Sequence, residues 1–539
     1  MRSQPITPAQ VLAMPGVPSV LYELDRPPYT TYKWDGTKMV EFGAGAVSGA
    51  GNLAAVPAQP SVAGAVRAAL SRASNPGTIV SDFVGTKWTT AGGGSTGGAP
   101  TIVTDVTGYD ASGNRTGVVS RTGQASMMRI TPTASGDSVR LAFGAINVPL
   151  NGRVGLWVHL ASVTGYDTGA GPTTGTIDLN VSNSAVGVGN GAQISWTIGG
   201  QLREGWNFLK FVMKGAVFNS AANTQAGANV YTGNHPYGVG CGILGNGSTS
   251  EIAAANARCL QLTFTNCTGW VITLDSIWTG FSSKAAVVLG CDQAATSCVD
   301  IALPILQSYG WKGYVCSPRN VLPNSTTATY ADMAAAPEYA DMVSARTAYP
   351  VLGTLYDAGW DVINHSWTHR SLGYLTNPGE IQMEIERARA WLVGSGMPRG
   401  GEFYASPNSS TSRLSEAVIG GCGIAIQRHA KKINNSLTPW GFDNPGYLGS
   451  HDIGSATTGQ SLVILRNVVD NIERYGDVYW PFWHSIRTLG DPGDGTGIYA
   501  VDNLSIYASN YTQFMAYIRA REQAGGLSVL SPTQLYYGA

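Results

Sequence analysis

The chain has 539 residues, more than one ordinary hydrophobic core accommodates, so two to four domains are expected. Only 12% of the residues are charged and the formal net charge is -1, which excludes the basic surfaces of nucleic-acid partners and of acidic-membrane binding. No apolar run reaches the length of about eighteen residues that a transmembrane helix needs. Met1-Arg2-Ser3-Gln4-Pro5-Ile6-Thr7 lacks the apolar core of a secretory leader, so synthesis in a cytosol without export is expected.

Residues 1–75 read as an N-terminal adaptor segment. Thr31-Tyr32-Lys33-Trp34 and Met39-Val40-Glu41-Phe42 flank Asp35-Gly36, the pattern of a β-hairpin. The Trp34-Asp35-Gly36-Thr37 turn resembles small modules of bacteriophage tail and receptor-binding proteins. Residues 43–60 are rich in Ala, Gly and Val, and a short helix over 61–74 is expected to follow; a disordered leader is the competing reading. Over residues 76–283 short alternating strands are separated by Gly, Asn, Ser and Thr. Runs at 126–131, 139–143, 154–159, 260–264 and 270–278, without intervening helices, predict a jelly-roll-like β-sandwich. Its aromatic residues suit either a carbohydrate-binding surface or a spacer or trimer collar. His159 and His235 have no evident partner in sequence. The seven cysteines contain no CxxC and lie in apolar contexts, which predicts reduced core residues and no zinc-thiolate site.

From residue 284 strand-like and helical patterns alternate about seven times. Strands are predicted over 287–291, 313–316, 360–364, 402–405, 423–427, 478–483 and 527–530. Helices are predicted over 299–309, 345–358, 380–393, 413–419, 462–474 and 511–524, the third with Glu384, Glu386, Arg387 and Arg389 on its wet side. Such alternation means a parallel sheet closed or nearly closed into a distorted (β/α) barrel. Polar residues follow three of the strand-like runs: Asp292 and Gln293 after 287–291, His365 and His369 after Val362-Ile363, and His484 after Trp483. Parallel α/β folds bind ligands outside the carboxyl ends of their strands, so these side chains are the candidate site.

These residues give the region 284–539 a resemblance to the polysaccharide deacetylases, carbohydrate esterase family four. His365-Ser366-Trp367-Thr368-His369, led in by Gly359 and Asn364, is similar to the family's His-Ser/Thr-x-x-His motif. Gly290-Cys291-Asp292-Gln293 takes the place of its Thr-Phe-Asp-Asp-Gly motif, Ala405-Ser406-Pro407 that of its Arg-Pro-Pro, and His484 that of the histidine ending its last strand. The resemblance implies a divalent metal, with zinc the expectation, on His365, His369 and Gln293. It implies Asp292 as catalytic base and His484 as the acid that protonates the leaving group. Gln293 stands where the family has an acidic ligand, which implies a looser metal site unless Asp292 turns towards the ion. Ala405 stands where the family has the arginine that pairs with the base; Arg428 and Arg370 are the candidate substitutes.

Trp367, Trp483 and Arg428 are candidate substrate contacts, and Trp440 and Trp480 further stacking platforms, with core packing the alternative for each tryptophan. His451-Asp452, in a Gly/Ser-rich stretch over 447–459, reads as a solvated loop pair, and His429 as a basic surface or cleft-rim residue. Asp491-Pro492-Gly493 reads as a tight turn. Together these features lead to an expected homotrimeric phage tail spike that binds and deacetylates a bacterial surface polysaccharide, capsule or lipopolysaccharide. It would attach to other tail or baseplate proteins through its N-terminus and localise to the virion tail. The alternative is a non-catalytic glycan-binding tail fibre with a degenerate barrel; a bacterial cell-wall deacetylase fits the apparent lack of a leader less well.

Overall fold

The structure is a computed structural model. It describes residues 127–142, 153–163, 175–182, 204–212, 259–280, 284–319, 349–429, 448–454, 462–491 and 505–537, apart from single residues, together with shorter pieces. Thr31–Trp34 and Met39–Phe42 pair antiparallel, with Leu21–Glu23 added beside Thr31–Trp34. The helix expected over 61–74 and His235 lie outside the described residues.

Two antiparallel sheets follow. In the first the strand order is Gly240–Leu244, Gln193–Ile198, Thr176–Ser182, Cys259–Thr265, Asp137–Ala142, Trp88–Ala91. In the second it is Gly205–Val212, Arg153–Ala161, Val271–Thr279, Met127–Thr131, Thr101–Val106, with Thr78–Ser81 also on Val271–Thr279. Period-two alternation explains why they pack. Leu156, Val158 and Leu160 of the second sheet share one buried core with Leu260, Leu262 and Phe264 of the first. Trp157 points to the other face, against Phe208 and Trp206.

From Ala285 onwards the pairings are mostly parallel. Gly290–Asp292 lies between Tyr314–Cys316 and Pro481–Trp483, and Tyr314–Cys316 continues to Asp361–Ile363. A bridge from Asn364 to Tyr404 reaches Phe403–Ala405, which pairs Ile426–His429, which pairs Leu448–Gly449. His451–Asp452 then pairs Pro481–Trp483, so the circuit returns to the first strand. Ala285–Val287 also pairs Leu527–Val529. The apolar run 285–289 is needed because both of its faces are buried. Val287, Leu289 and Cys291 meet the helices, whereas Ala286 and Val288 face inward with Tyr314, Cys316 and Trp480. Gly290 is required here: a Cβ would lie 2.0 Å from the Tyr314 ring.

The helices Leu303–Ser308, Pro350–Asp357, Pro378–Gly394, Arg413–Gly421, Leu462–Tyr475 and Ala508–Gln523 fall where the helical spacing places them. Asn377 starts the third by accepting a hydrogen bond from the Gly379 N–H, with Pro378 in its first turn. No described helix is long and apolar enough to cross a membrane.

Three expectations are corrected. Cys291 and Cys298 form a disulfide rather than staying reduced, while Cys259, Cys267, Cys316 and Cys422 are free. Glu384 is buried, not on the wet side of its helix. Residues 448–449 and 451–452 are strand, drawn into the sheet by Ile426–His429 and Pro481–Trp483.

Candidate active site

The register of the parallel strands assembles the site. Asp292 and Cys316 are paired residues at the carboxyl ends of neighbouring strands, so their side chains leave the sheet on the same face. Cys291 pairs Trp483 on the other side, which sets His484 beside Asp292. Ile363 pairs Cys316, and His365 follows two residues later. Asp292, His365, His369 and His484 are thereby brought near one another, close enough for each imidazole to act on the Asp292 charge.

Asp292 is buried, and its Oδ2 receives a hydrogen bond of 2.6 Å from Nη2 of Arg428. Its Oδ1 accepts the Cys316 thiol at 3.1 Å. Burial alone would raise the carboxyl pKa, but the Arg428 guanidinium, with His365 and His484, outweighs it and holds Asp292 down at about 2. Arg428 thus occupies the role left open by Ala405, from the next strand. It is buried, with its guanidinium over the Phe482 ring at 4.3 Å. This corrects its assignment as a substrate contact: both its charge and its flat face are already engaged. Arg370 instead pairs with Glu380 at 3.0 Å.

His365 places Nδ1 2.9 Å from the Ala405 carbonyl. That nitrogen must donate, so Nε2 carries the free lone pair. No hydrogen-bond partner of Nε2 occurs among the described residues. His369 packs edge-on against His365, centroids 4.9 Å apart. Burial lowers both pKa values, that of His365 to about 3, so both rings are neutral at physiological pH.

The turn between the histidines is held from behind. Glu384 accepts the Trp367 N–H at 2.9 Å, the Thr368 N–H at 2.8 Å and the Thr368 hydroxyl at 2.6 Å. Asn364 accepts the Ser366 N–H and donates to the Ile385 carbonyl. The backbone is forced here: six of the eight described non-glycine residues with positive φ are Gln293, Ala294, Ser366, His369, Asn408 and Ser409, in three loops at these strand ends. Such conformations persist only where surrounding bonds over-determine them.

His484 Nδ1 lies 3.7 Å from Asp452 Oδ2. Burial raises the Asp452 carboxyl to about 6 against the opposing pull of His484. Asp452, read from the sequence as half of a solvated loop pair, is instead brought beside His484 by the pairing of His451–Asp452 with Pro481–Trp483. His451 is buried, its Nδ1 2.7 Å from the Tyr479 hydroxyl. His429 is likewise buried rather than at a rim.

The tryptophans are corrected as sugar platforms. Trp367 is buried and meets Trp391 at a right angle, Trp483 is buried against Tyr511, and Trp480 is buried beside Tyr314. No face remains for a ring to stack upon. Trp440 lies outside the described residues. Gln293 is exposed, and its backbone N–H donates to the Cys316 carbonyl at 2.7 Å. The donor set suits a divalent ion, because two neutral imidazoles, one with a free lone pair, adjoin an ionised carboxylate.

Residues 280–426 match the family model for polysaccharide deacetylase. No curated protein matches. Among solved structures, similarity is found to the family 4 esterase domain of a multidomain xylanase from the hindgut metagenome of Trinervitermes trinervoides, at 14% identity over 48% of this chain and 91% of that one, TM-score 0.28. A family 4 acetyl xylan esterase from Clostridium thermocellum, in complex with cobalt, is 12% identical over 47% of this chain and 90% of that one, TM-score 0.27. A family 4 pseudoenzyme from Bacillus anthracis is 13% identical over 47% and 66%, TM-score 0.27. At these values the likeness assigns no role to any residue. The chain is therefore multidomain, with a polysaccharide deacetylase-like region in its C-terminal half that contains Asp292, His365 and His369 within the matched residues.

Proposed function

We propose that the region 284–539 hydrolyses acetyl groups from a carbohydrate. The observation that carries this reading is the pairing of two ionisable couples, Asp292 with Arg428 and Asp452 with His484, close to two neutral histidines. Ester or amide hydrolysis needs a nucleophilic water, charge stabilisation at the carbonyl oxygen and a proton for the leaving group. His365 and His369 would hold the metal, zinc being our choice, which supplies water activation and carbonyl polarisation when bound. Asp292, kept ionised by Arg428, orients the water through a hydrogen bond and accepts its proton as attack proceeds. His484 protonates the departing oxygen or nitrogen, and the Asp452 carboxylate stabilises the imidazolium form that does so.

The substrate we propose is a bacterial surface polysaccharide, and the chain a homotrimeric phage tail spike joined to other tail proteins. The hairpin at 31–42 and two antiparallel sheets sharing one core, read as a jelly-roll-like sandwich, support this arrangement. The returning circuit of parallel pairings supports a distorted (β/α) barrel. One observation favours a glycan-binding domain without activity: both Asp292 oxygens already accept hydrogen bonds. Acetate release from acetylated capsule or lipopolysaccharide, with and without chelator, separates the two. Catalysis predicts release that His365→Ala abolishes; polymer binding without acetate from any acetylated glycan would leave only the binding function.

A further inference from the structure

His365 and His369 are neutral, so a divalent ion on them calls for an anionic ligand beside them. Gln293, the residue at the expected position, is neutral and exposed. Its replacement lies one strand away. Asp292, Cys316 and His365 each offer one ligand atom, and these oxygen, sulfur and nitrogen atoms all lie within 4.8 Å of one another. All three side chains are buried at the same strand ends. Cys316 is a free cysteine, and its thiol hydrogen points at Asp292 Oδ1 across 3.1 Å.

We infer that Cys316 is a ligand of the metal centre, so that Asp292, Cys316 and His365 form a mixed oxygen–sulfur–nitrogen site with His369 at its edge. On binding, the S–H bond breaks, the sulfur keeps the electron pair and bonds the ion, and the proton passes to solvent. The ion takes the place of the hydrogen now shared between Sγ and Oδ1. Arg428 stays on Oδ2, so one carboxylate is held between a guanidinium and the metal. A soft thiolate selects zinc or cobalt over magnesium or calcium. This assignment compensates for Gln293: the anionic ligand has moved from the residue after Asp292 to the residue paired with it. It rests on the deacetylase reading for the presence of a metal, and it assigns Asp292 as a ligand in place of the base role given to it above.

The test uses the full chain, stripped with chelator and titrated with cobalt(II), read by absorption and by X-ray absorption at the cobalt edge. A near-ultraviolet thiolate-to-cobalt charge-transfer band is expected, with a sulfur scatterer at about 2.3 Å. Cys316→Ser should abolish the band and weaken cobalt binding at least as much as loss of an outer-shell partner does, about 10–100-fold. Cys422→Ser should keep both. Should Cys316→Ser not fold, the scattering of the unaltered chain decides alone. Cobalt bound in a His365-dependent way with only nitrogen and oxygen scatterers overturns the inference and leaves the deacetylase reading standing. No cobalt binding overturns both the sulfur ligand and the metal part of that reading, and acetate release measured on the same sample shows whether hydrolysis survives.

Discussion

Asp292 and Asp452 are perturbed in opposite directions, and the two signs make separable predictions. Asp292 is held at about 2 in the folded chain. Its ionisation therefore contributes stability that is present above the unfolded value near 4 and is lost as pH falls through about 2. Arg428→Met removes the compensating charge and leaves a buried carboxylate unpaired. A loss of about 3–5 kcal/mol in denaturant unfolding at pH 7 is expected; a loss below 1 kcal/mol would mean that the pair is not buried as described. Asp452 behaves in reverse. Its folded value is about 6, so the folded state binds the proton more tightly and stability falls as pH rises from about 4 to 6. Asp452→Asn should accordingly stabilise the protein at pH 7, by about 1–3 kcal/mol before solvent exposure is discounted. The same substitution should slow acetate release and flatten the acid limb that we expect near pH 6, because the carboxylate facing His484 is gone. More stable and less active is the signature to look for; a variant that is less stable with an unchanged pH profile would contradict the pairing.

The helix Pro378–Gly394 does more than cover the sheet, since its Glu384 holds the turn that carries both histidines. Burial raises the Glu384 pKa while the Thr368 bonds pull it down. Glu384→Ala leaves two backbone N–H groups without their acceptor, at a cost on the order of 1–3 kcal/mol each where they stay dry. We expect a lowered Tm and weaker cobalt binding in Glu384→Ala, with substantial rescue of both in Glu384→Gln, whose amide oxygen still accepts. Equal metal affinity in all three proteins would show that the turn needs no support. This residue also marks where the sequence stopped being legible. Apolar spacing located the helix, but a glutamate at one helical position looks the same whether it meets water or two N–H groups. Asp292, His365, His369 and His484 were readable because each follows an apolar strand, and strand ends are where such folds place chemistry. Arg428, one of two arginines proposed for the gap left by Ala405, became assignable only once strand pairing was known. Cys316 and Asp452 were obscured for the same reason: their relevance comes from the strand beside them, which periodicity does not encode. The tryptophans failed as platforms because an aromatic ring near a site is equally useful to the core beneath it.

The two antiparallel sheets and the parallel circuit each enclose their own apolar cluster, and no residue of one core belongs to the other. Their described contacts are modest. Arg413 donates to Glu204 at 2.7 Å and to the Val163 carbonyl, and helix Leu462–Tyr475 lies near strand Gly205–Val212. The Arg413–Glu204 pair is partly exposed, and an ion pair of that kind contributes about 0.2–1 kcal/mol. Among the described residues this is a small junction between separate cores, and a junction of that kind transmits little stability. The chain shortened to residues 284–539 should therefore fold alone, unfold within a few degrees of the corresponding transition in the full chain, and release acetate from a small acetylated sugar at a comparable rate. Release from long polymer should fall further in the fragment if the antiparallel sheets contribute a binding surface, and should not change if they act as a spacer. Arg413→Ala in the full chain is the milder version of the same experiment and should leave acetate release unaltered. A fragment that melts far earlier or aggregates would place the junction inside a shared folding unit, and the division into independent domains would have to be abandoned.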